Sequence, residues 1–224
     1  MELSEDNGLL SVQNVGTADI LVKREINRSE TSSVYEIELR GATYVMKLFH
    51  DNGDPGFAKN GRDLNRFRCE SNAYQNLSSH AVCQRGFVPF FYGCIDRIDP
   101  FALNPPLEHF LNDKYQPRAI ILEYLPNAER LNCVNYSDDL FRGAVDGIKA
   151  IHNAFVHHKD IYPKNILITP DRAVWTDLDV ATTFSEMGPF EKEYCDYETA
   201  LVVNFGELLS EDQRRGEAPN SKFY

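Results

Sequence analysis

An α+β fold is the expectation for this 224-residue chain. Two alternating segments face each other across a turn at Arg40-Gly41, an amphipathic helix follows an N-cap at Ser137, and a sheet-rich half precedes a mainly helical one.

In chain order, residues 20–26 read as a first strand, and residues 33–39 and 42–49 as an antiparallel hairpin, because apolar and polar residues alternate with period two on both sides of the turn. A Gly/Asp/Asn-rich loop over 51–61 separates this sheet from a helix over about residues 62–77. Strand-like runs return at 87–95 and 119–124, with a Pro-rich insertion over 99–117 expected to be a long surface loop. In the second half Ser137-Asp138-Asp139 supplies the helix start, and Leu140, Phe141, Ala144, Val145, Ile148 and Ile151 follow at helical spacing. A hairpin of residues 165–169 and 173–177 turns at Pro170-Asp171, and residues 190–209 form a closing helix with Tyr194, Leu201, Val202, Phe205 and Leu209 on its apolar side. The expected organisation is a sheet with one helix over 1–124, including a surface insertion over 97–118, a linker over 125–133, and a helical part over 134–224.

Hydrophobic residues make up 42% and charged residues 25%, which fits a packed protein and not a disordered one. The formal net charge of -11 offers no basic field for a phosphate backbone, so a nucleic-acid partner is not expected. The first ten residues carry three acids and lack a basic segment followed by an apolar one, and no apolar run is long enough to cross a bilayer. A cytoplasmic, non-membrane and monomeric protein is the expectation. The five cysteines form an odd set without a Cys-x-x-Cys pair, so reduced thiols are expected rather than disulfides or a zinc site. The three Asn-x-Ser sequons at Asn27, Asn76 and Asn135 are expected to be unused without an export signal.

Several polar residues stand where a plain fold would not put them. Lys47 shares a strand face with Val45 and Phe49, and Glu70 lies among Phe67, Tyr74 and Leu77 on the apolar stripe of the helix that follows. An ammonium and a carboxylate both turned inward are expected to form one ion pair, since either alone would cost several kcal/mol. The segment from His157 to Asn165 places Asp160 five residues before Asn165, and the hairpin after it ends on Asp177-Leu178-Asp179.

In that order these residues resemble the protein-kinase family, and more closely small kinase-like proteins of filamentous fungi. The resemblance covers roughly residues 20–209, and it implies a bilobal fold with a short, mainly helical second lobe and a hinge over 125–133. It implies that Lys47 contacts the phosphates of ATP with Glu70 as its partner, and that Asp160 accepts the proton of a hydroxyl acceptor with Lys164 as a nearby cation. Asn165 and Asp177 are implied as ligands of Mg2+, and Ile26, Val34, Val45, Leu122, Glu123, Leu125 and Leu167 as nucleotide-binding positions. The implied activity is γ-phosphoryl transfer from Mg-ATP to a hydroxyl of a protein Ser/Thr or of a small molecule.

The sequence also departs from the family pattern. Asn27, Ser29 and Ser32 stand where the family's phosphate loop has glycines, Tyr162 replaces the usual lysine two residues after the catalytic aspartate, and Asp179 replaces a glycine. No Ala-Pro-Glu segment follows Asp177. These departures leave a second reading beside the enzyme, a kinase-like binding module that acts through protein contacts.

Overall fold

The computed structural model describes residue 12 and residues 15–220, and the chain forms two compact units, Met1–Asp54 with Phe91–Tyr124, and Pro55–Phe90 with Leu125–Tyr224. The amino-terminal expectations about export signals lie outside the described residues.

The first unit is a five-stranded antiparallel sheet of β1 (Ile20–Arg28), β2 (Ser32–Leu39), β3 (Ala42–Asp51), β4 (Phe91–Ile95) and β5 (Tyr115–Glu123), in the order β1-β2-β3-β5-β4. The β2–β3 ladder runs from Ser32↔Phe49 to Leu39↔Ala42 without a bulge. Its two-residue turn has both Arg40 (φ 53°) and Gly41 (φ 79°) in the left-handed region, the geometry that matches the twist of the strands it joins. Alternation sorts the side chains cleanly. Tyr35, Ile37, Leu39, Met46, Leu48, Ala119 and Ile121 face one apolar core.

The sequence reading needs three adjustments in this unit. The strand expected from residue 87 begins only at Phe91, because Pro89 cannot donate to a ladder and the Phe87 carbonyl accepts from Trp175 N instead. The insertion is not a bare surface loop. Leu103, Leu107 and Phe110 are buried in the sheet's core, and residues from Tyr115 already belong to β5. Lys47 is buried, but on the face opposite that apolar core.

The second unit holds three helices, α1 (Arg66–Ser79), α2 (Asp138–Asn153) and α3 (Pro189–Arg215). Asn65 caps α1 by accepting from Arg68 N at 3.0 Å, and Ser137 caps α2 by accepting from Leu140 N at 3.3 Å. Short strands β6 (Glu129–Arg130), β7 (Val156–His157), β8 (Ile166–Ile168), β9 (Ala173–Trp175) and β10 (Thr182–Thr183) form a three-stranded sheet, β6-β8-β9, and a β7–β10 pair. The fully buried Trp175 ties β9 to α2 by donating from Nε1 to the Ala144 carbonyl at 2.8 Å. Gly206 lets α3 meet α2, since a Cβ there would stand 2.1 Å from the Phe141 ring.

α3 runs six residues past its expected end, to a left-handed Gly216 (φ 68°) whose N–H closes the last turn. Its buried stripe is Cys195, Glu198, Val202, Gly206 and Leu209. The expected apolar side is therefore corrected in part: Val202 and Leu209 are buried, whereas Tyr194 is 57% exposed. All five cysteines are free thiols. Among the described residues no helix is long and apolar enough to cross a membrane.

Candidate functional site

The loop from His158 to Asn165 joins β7 to β8 and is held at both ends by hydrogen bonds. At its start the Glu198 carboxylate of α3 accepts from His158 N at 3.1 Å and from Lys159 N at 2.7 Å, while His152 Nε2 lies 2.7 Å from the same carboxylate. Lys159 takes a left-handed backbone (φ 69°), and Glu198 is what holds it there. At its far end Asn165 Nδ2 donates to the Asp160 carbonyl at 2.7 Å, closing the loop across five residues.

Asn165 is in turn joined to the strand that leads to Asp177. Its carbonyl accepts from Thr176 N at 2.9 Å and from Thr176 Oγ1 at 3.1 Å. His158 Nε2 donates to the Thr176 carbonyl at 3.1 Å, and its Nδ1 accepts from Asp160 N at 3.4 Å, a pattern that requires the neutral, Nε2-protonated ring. Asp177 follows directly, also left-handed at φ 63°. Lys164 Nζ stands 3.5 Å from the Asp160 carboxylate, a half-exposed pair that contributes little to stability but keeps a cation beside that carboxylate. Asp160, Lys164, Asn165 and the residue preceding Asp177 thus form one connected group.

Burial sets the protonation of this group. It lowers the pKa of His158 and of His157, with Glu198 opposing in each case, and it lowers that of the Lys159 ammonium. Burial alone would raise Glu198, but the His152 hydrogen bond and the neighbouring His157 and His158 outweigh it and hold the carboxyl below its ordinary value. The loop is anchored on a carboxylate, with His158 neutral beside it.

The remaining expected positions divide between the units. In the sheet, Val34 pairs with Lys47, Lys47 with Ile120, and Val45 with Leu122, so Val34, Lys47, Val45 and Leu122 share one face. Glu123 pairs with Tyr44 on the other face, and Ile26 falls in a bulge between Glu25 and Asn27, 43% exposed. Lys47 Nζ lies 5.3 Å from the centre of the Phe49 ring. In the second unit, Glu70 is buried on α1, Leu167 pairs with Val174 in the β8–β9 hairpin, and Leu125 begins the connecting segment. Asp179 is engaged by Arg66 Nη1 at 3.1 Å.

Glu198 and His152 are absent from the sequence-derived site, yet they hold its loop. The signal was available: Glu198 sits between Cys195 and Val202 at spacings of three and four, the same placement that singled out Glu70.

No family model matches the chain. It is similar to several serine/threonine protein kinases. It is 34% identical over 103 residues to the probable serine/threonine-protein kinase fhkE of Dictyostelium discoideum, which covers 40% of this chain and 14% of that protein. Identity is 26% over 167 residues to the serine/threonine-protein kinase PknA of Corynebacterium glutamicum, 73% of this chain and 31% of that one. It is 26% over 100 residues to the serine/threonine-protein kinase CAK1 of Saccharomyces cerevisiae, 45% of this chain and 23% of that one. The matched stretch thus spans less than a third of each of these relatives. In fold the chain is α+β with an antiparallel sheet and three helices, an architecture compatible with a kinase-like protein.

Proposed function

We propose that the protein is an ATP-dependent phosphotransferase of the kinase type, carrying the γ-phosphoryl group of Mg-ATP to a hydroxyl of a protein or a small molecule, within a bilobal fold. The observation that carries this reading is the connected loop: Asp160, Lys164 and Asn165 are fixed to each other and, through Thr176, to the segment after β9 that leads into Asp177.

The donor chemistry suits magnesium. Asn165 donates its amide N–H to Asp160, which leaves its carbonyl oxygen as an acceptor, and Asp177 adds a carboxylate, so both are hard oxygen ligands. Bound magnesium neutralises phosphate charge that this acidic chain would otherwise repel. In this proposal Lys47, with Glu70 as its partner, serves the phosphates, and Val34, Val45 and Leu122 with Ile26, Glu123, Leu125 and Leu167 hold the nucleotide. Asp160 orients the acceptor hydroxyl and takes its proton, a role worth about 10²-fold to 10⁴-fold in rate.

One observation favours the binding-module reading. The turn between β1 and β2 closes on itself, with Ser29 Oγ accepting from Thr31 N at 3.3 Å and from Ser32 N at 3.1 Å, so these N–H groups already have an acceptor other than a phosphate. The two readings separate in one experiment. The enzyme reading expects ATP to raise the melting temperature only with magnesium, Asp177→Ala to abolish that rise, and Asp160→Ala to keep it while losing turnover. Metal-independent binding that survives Asp177→Ala without any turnover would establish the module instead.

A further inference from the structure

α3 has two apolar stripes, and only one is buried. One residue ahead of each member of the buried stripe stand Tyr194, Tyr197, Leu201, Phe205 and Leu208, with Phe190 in front. Their spacings of four, three, four, four and three keep them in line along the helix, turned about 100° from the buried stripe. Phe190 is 73%, Tyr197 66%, Leu208 58% and Tyr194 57% exposed, and Leu201 and Phe205 are half-buried. At about 1.5 Å per residue the stripe extends some 27 Å. Single exposed apolar residues are ordinary, but a continuous row of this length along one helix is not. The row meets other apolar groups of its unit: Tyr162 packs 5.5 Å from Phe205, and His157 stacks 6.1 Å from Tyr194. Leu208 also borders an open groove between α2 and α3 of about 720 Å³, with Phe141, Val145 and Val203 in its lining.

Charge selects the occupant. α3 carries seven acidic and three basic residues, and all three bases are taken by its own acids: Lys192 by Asp196 at 2.5 Å, and Arg214 and Arg215 by Glu211. Among the described residues, Glu193 and Glu207 pair with no cation. The chain as a whole is at -11. A second copy would bring like charge to like, and an anionic membrane would be repelled. A helix with an apolar stripe and lysine or arginine on its flanks meets both properties of the surface at once.

We propose that the outer face of α3 is a docking surface for a basic amphipathic helix of a partner protein, anchored on the row from Phe190 to Leu208. The proposal is independent of nucleotide chemistry. The probe is a fluorescein-labelled 18-residue helix with leucines at i, i+3, i+4 and i+7 spacing and lysines on both flanks, titrated by anisotropy. Saturable binding is expected, with the glutamate-flanked peptide and the Tyr197→Ser/Leu208→Ser protein each about tenfold weaker or worse, while circular dichroism and melting temperature stay unchanged. If that double variant loses its fold, Phe190→Ser in the exposed first turn carries the same expectation. No binding up to about 100 μM, or equal binding by the variant, would overturn the proposal, the latter by showing charge attraction alone. So would a dimer in sedimentation that Tyr197→Ser dissociates, which assigns the face to a second copy, or capture on phosphatidylcholine vesicles lost in the same variant, which assigns it to a membrane.

Discussion

The β2–β3 hairpin and the shorter loop from His158 to Asn165 both pass through left-handed residues, yet they are held in opposite ways. In the hairpin, Arg40 and Gly41 make the turn and eight matched pairs on either side set the register, all within eighteen residues of chain. In the loop, Lys159 is held left-handed by Glu198, 39 residues further on. Removing any one side chain from the hairpin leaves the others in register. Removing one carboxylate from α3 releases the start of the loop. Where chemistry is proposed, the fold hangs the start of the loop on one distant buried carboxylate, and where support suffices it spreads control over a ladder.

The strongest way to break this comparison is Glu198→Ala. It leaves His158 N, Lys159 N and His152 without their acceptor in a buried place, and removing one partner from such a buried polar group costs about 3–5 kcal/mol. Urea unfolding should show that loss, with partial recovery in Glu198→Gln, which retains a carbonyl acceptor. A loss below about 1 kcal/mol would mean that the loop is held elsewhere and that Glu198 is not its anchor.

The same group makes stability depend on pH. A histidine kept neutral by burial binds its proton less readily in the folded chain than in the unfolded one, so between the two values the unfolded state holds more protons and stability rises with pH. His157 and His158 are lowered in this way from 6.5, and so is His109 in the insertion between β4 and β5, by burial and then Arg28. Glu198 is lowered from 4.5, so its contribution is present above that value and is lost as pH falls through the folded one. The melting temperature should therefore decline as pH drops below about 6.5 and fall again below about 4.5. His109→Gln should leave the part of the first decline that belongs to the loop. A flat profile from pH 7 to 5 would contradict the buried, neutral histidines.

What was legible in the sequence follows the same division. The hairpin could be read from period-two alternation, and the caps at Ser137 and the turn at Pro170-Asp171 from local chemistry, because their determinants lie within a few residues. Of the polar residues that stand out of place in the sequence, Lys47, Glu70 and Asn165 are buried, whereas Asp160 and Asp177 are half-buried. The anchoring by Glu198 was not legible as a contact, since no local rule links α3 to a loop 40 residues earlier, although the placement of Glu198 on a buried stripe marked it. The insertion reads as a loop because its prolines advertise one, while Leu103, Leu107 and Phe110 are dispersed among them and become a core only when the chain folds back over the sheet. The apolar side of α3 was blurred because two adjacent stripes, one buried and one exposed, read together as a single broad face.

The smallest effect sharpens the comparison from the hairpin's side. Arg40 occupies a left-handed position that arginine adopts at a cost of about 1 kcal/mol, whereas asparagine before glycine suits such a two-residue turn. Arg40→Asn should therefore stabilise the sheet by about 0.5 kcal/mol, a rise of about 1–2 °C in melting temperature for a chain of this size. If the hairpin is governed locally, this change and Glu198→Ala should add within about 0.5 kcal/mol, because the altered residues belong to different units and share no partner in the contacts described above. Clear non-additivity would show that turn and anchor are coupled, against a hairpin governed locally.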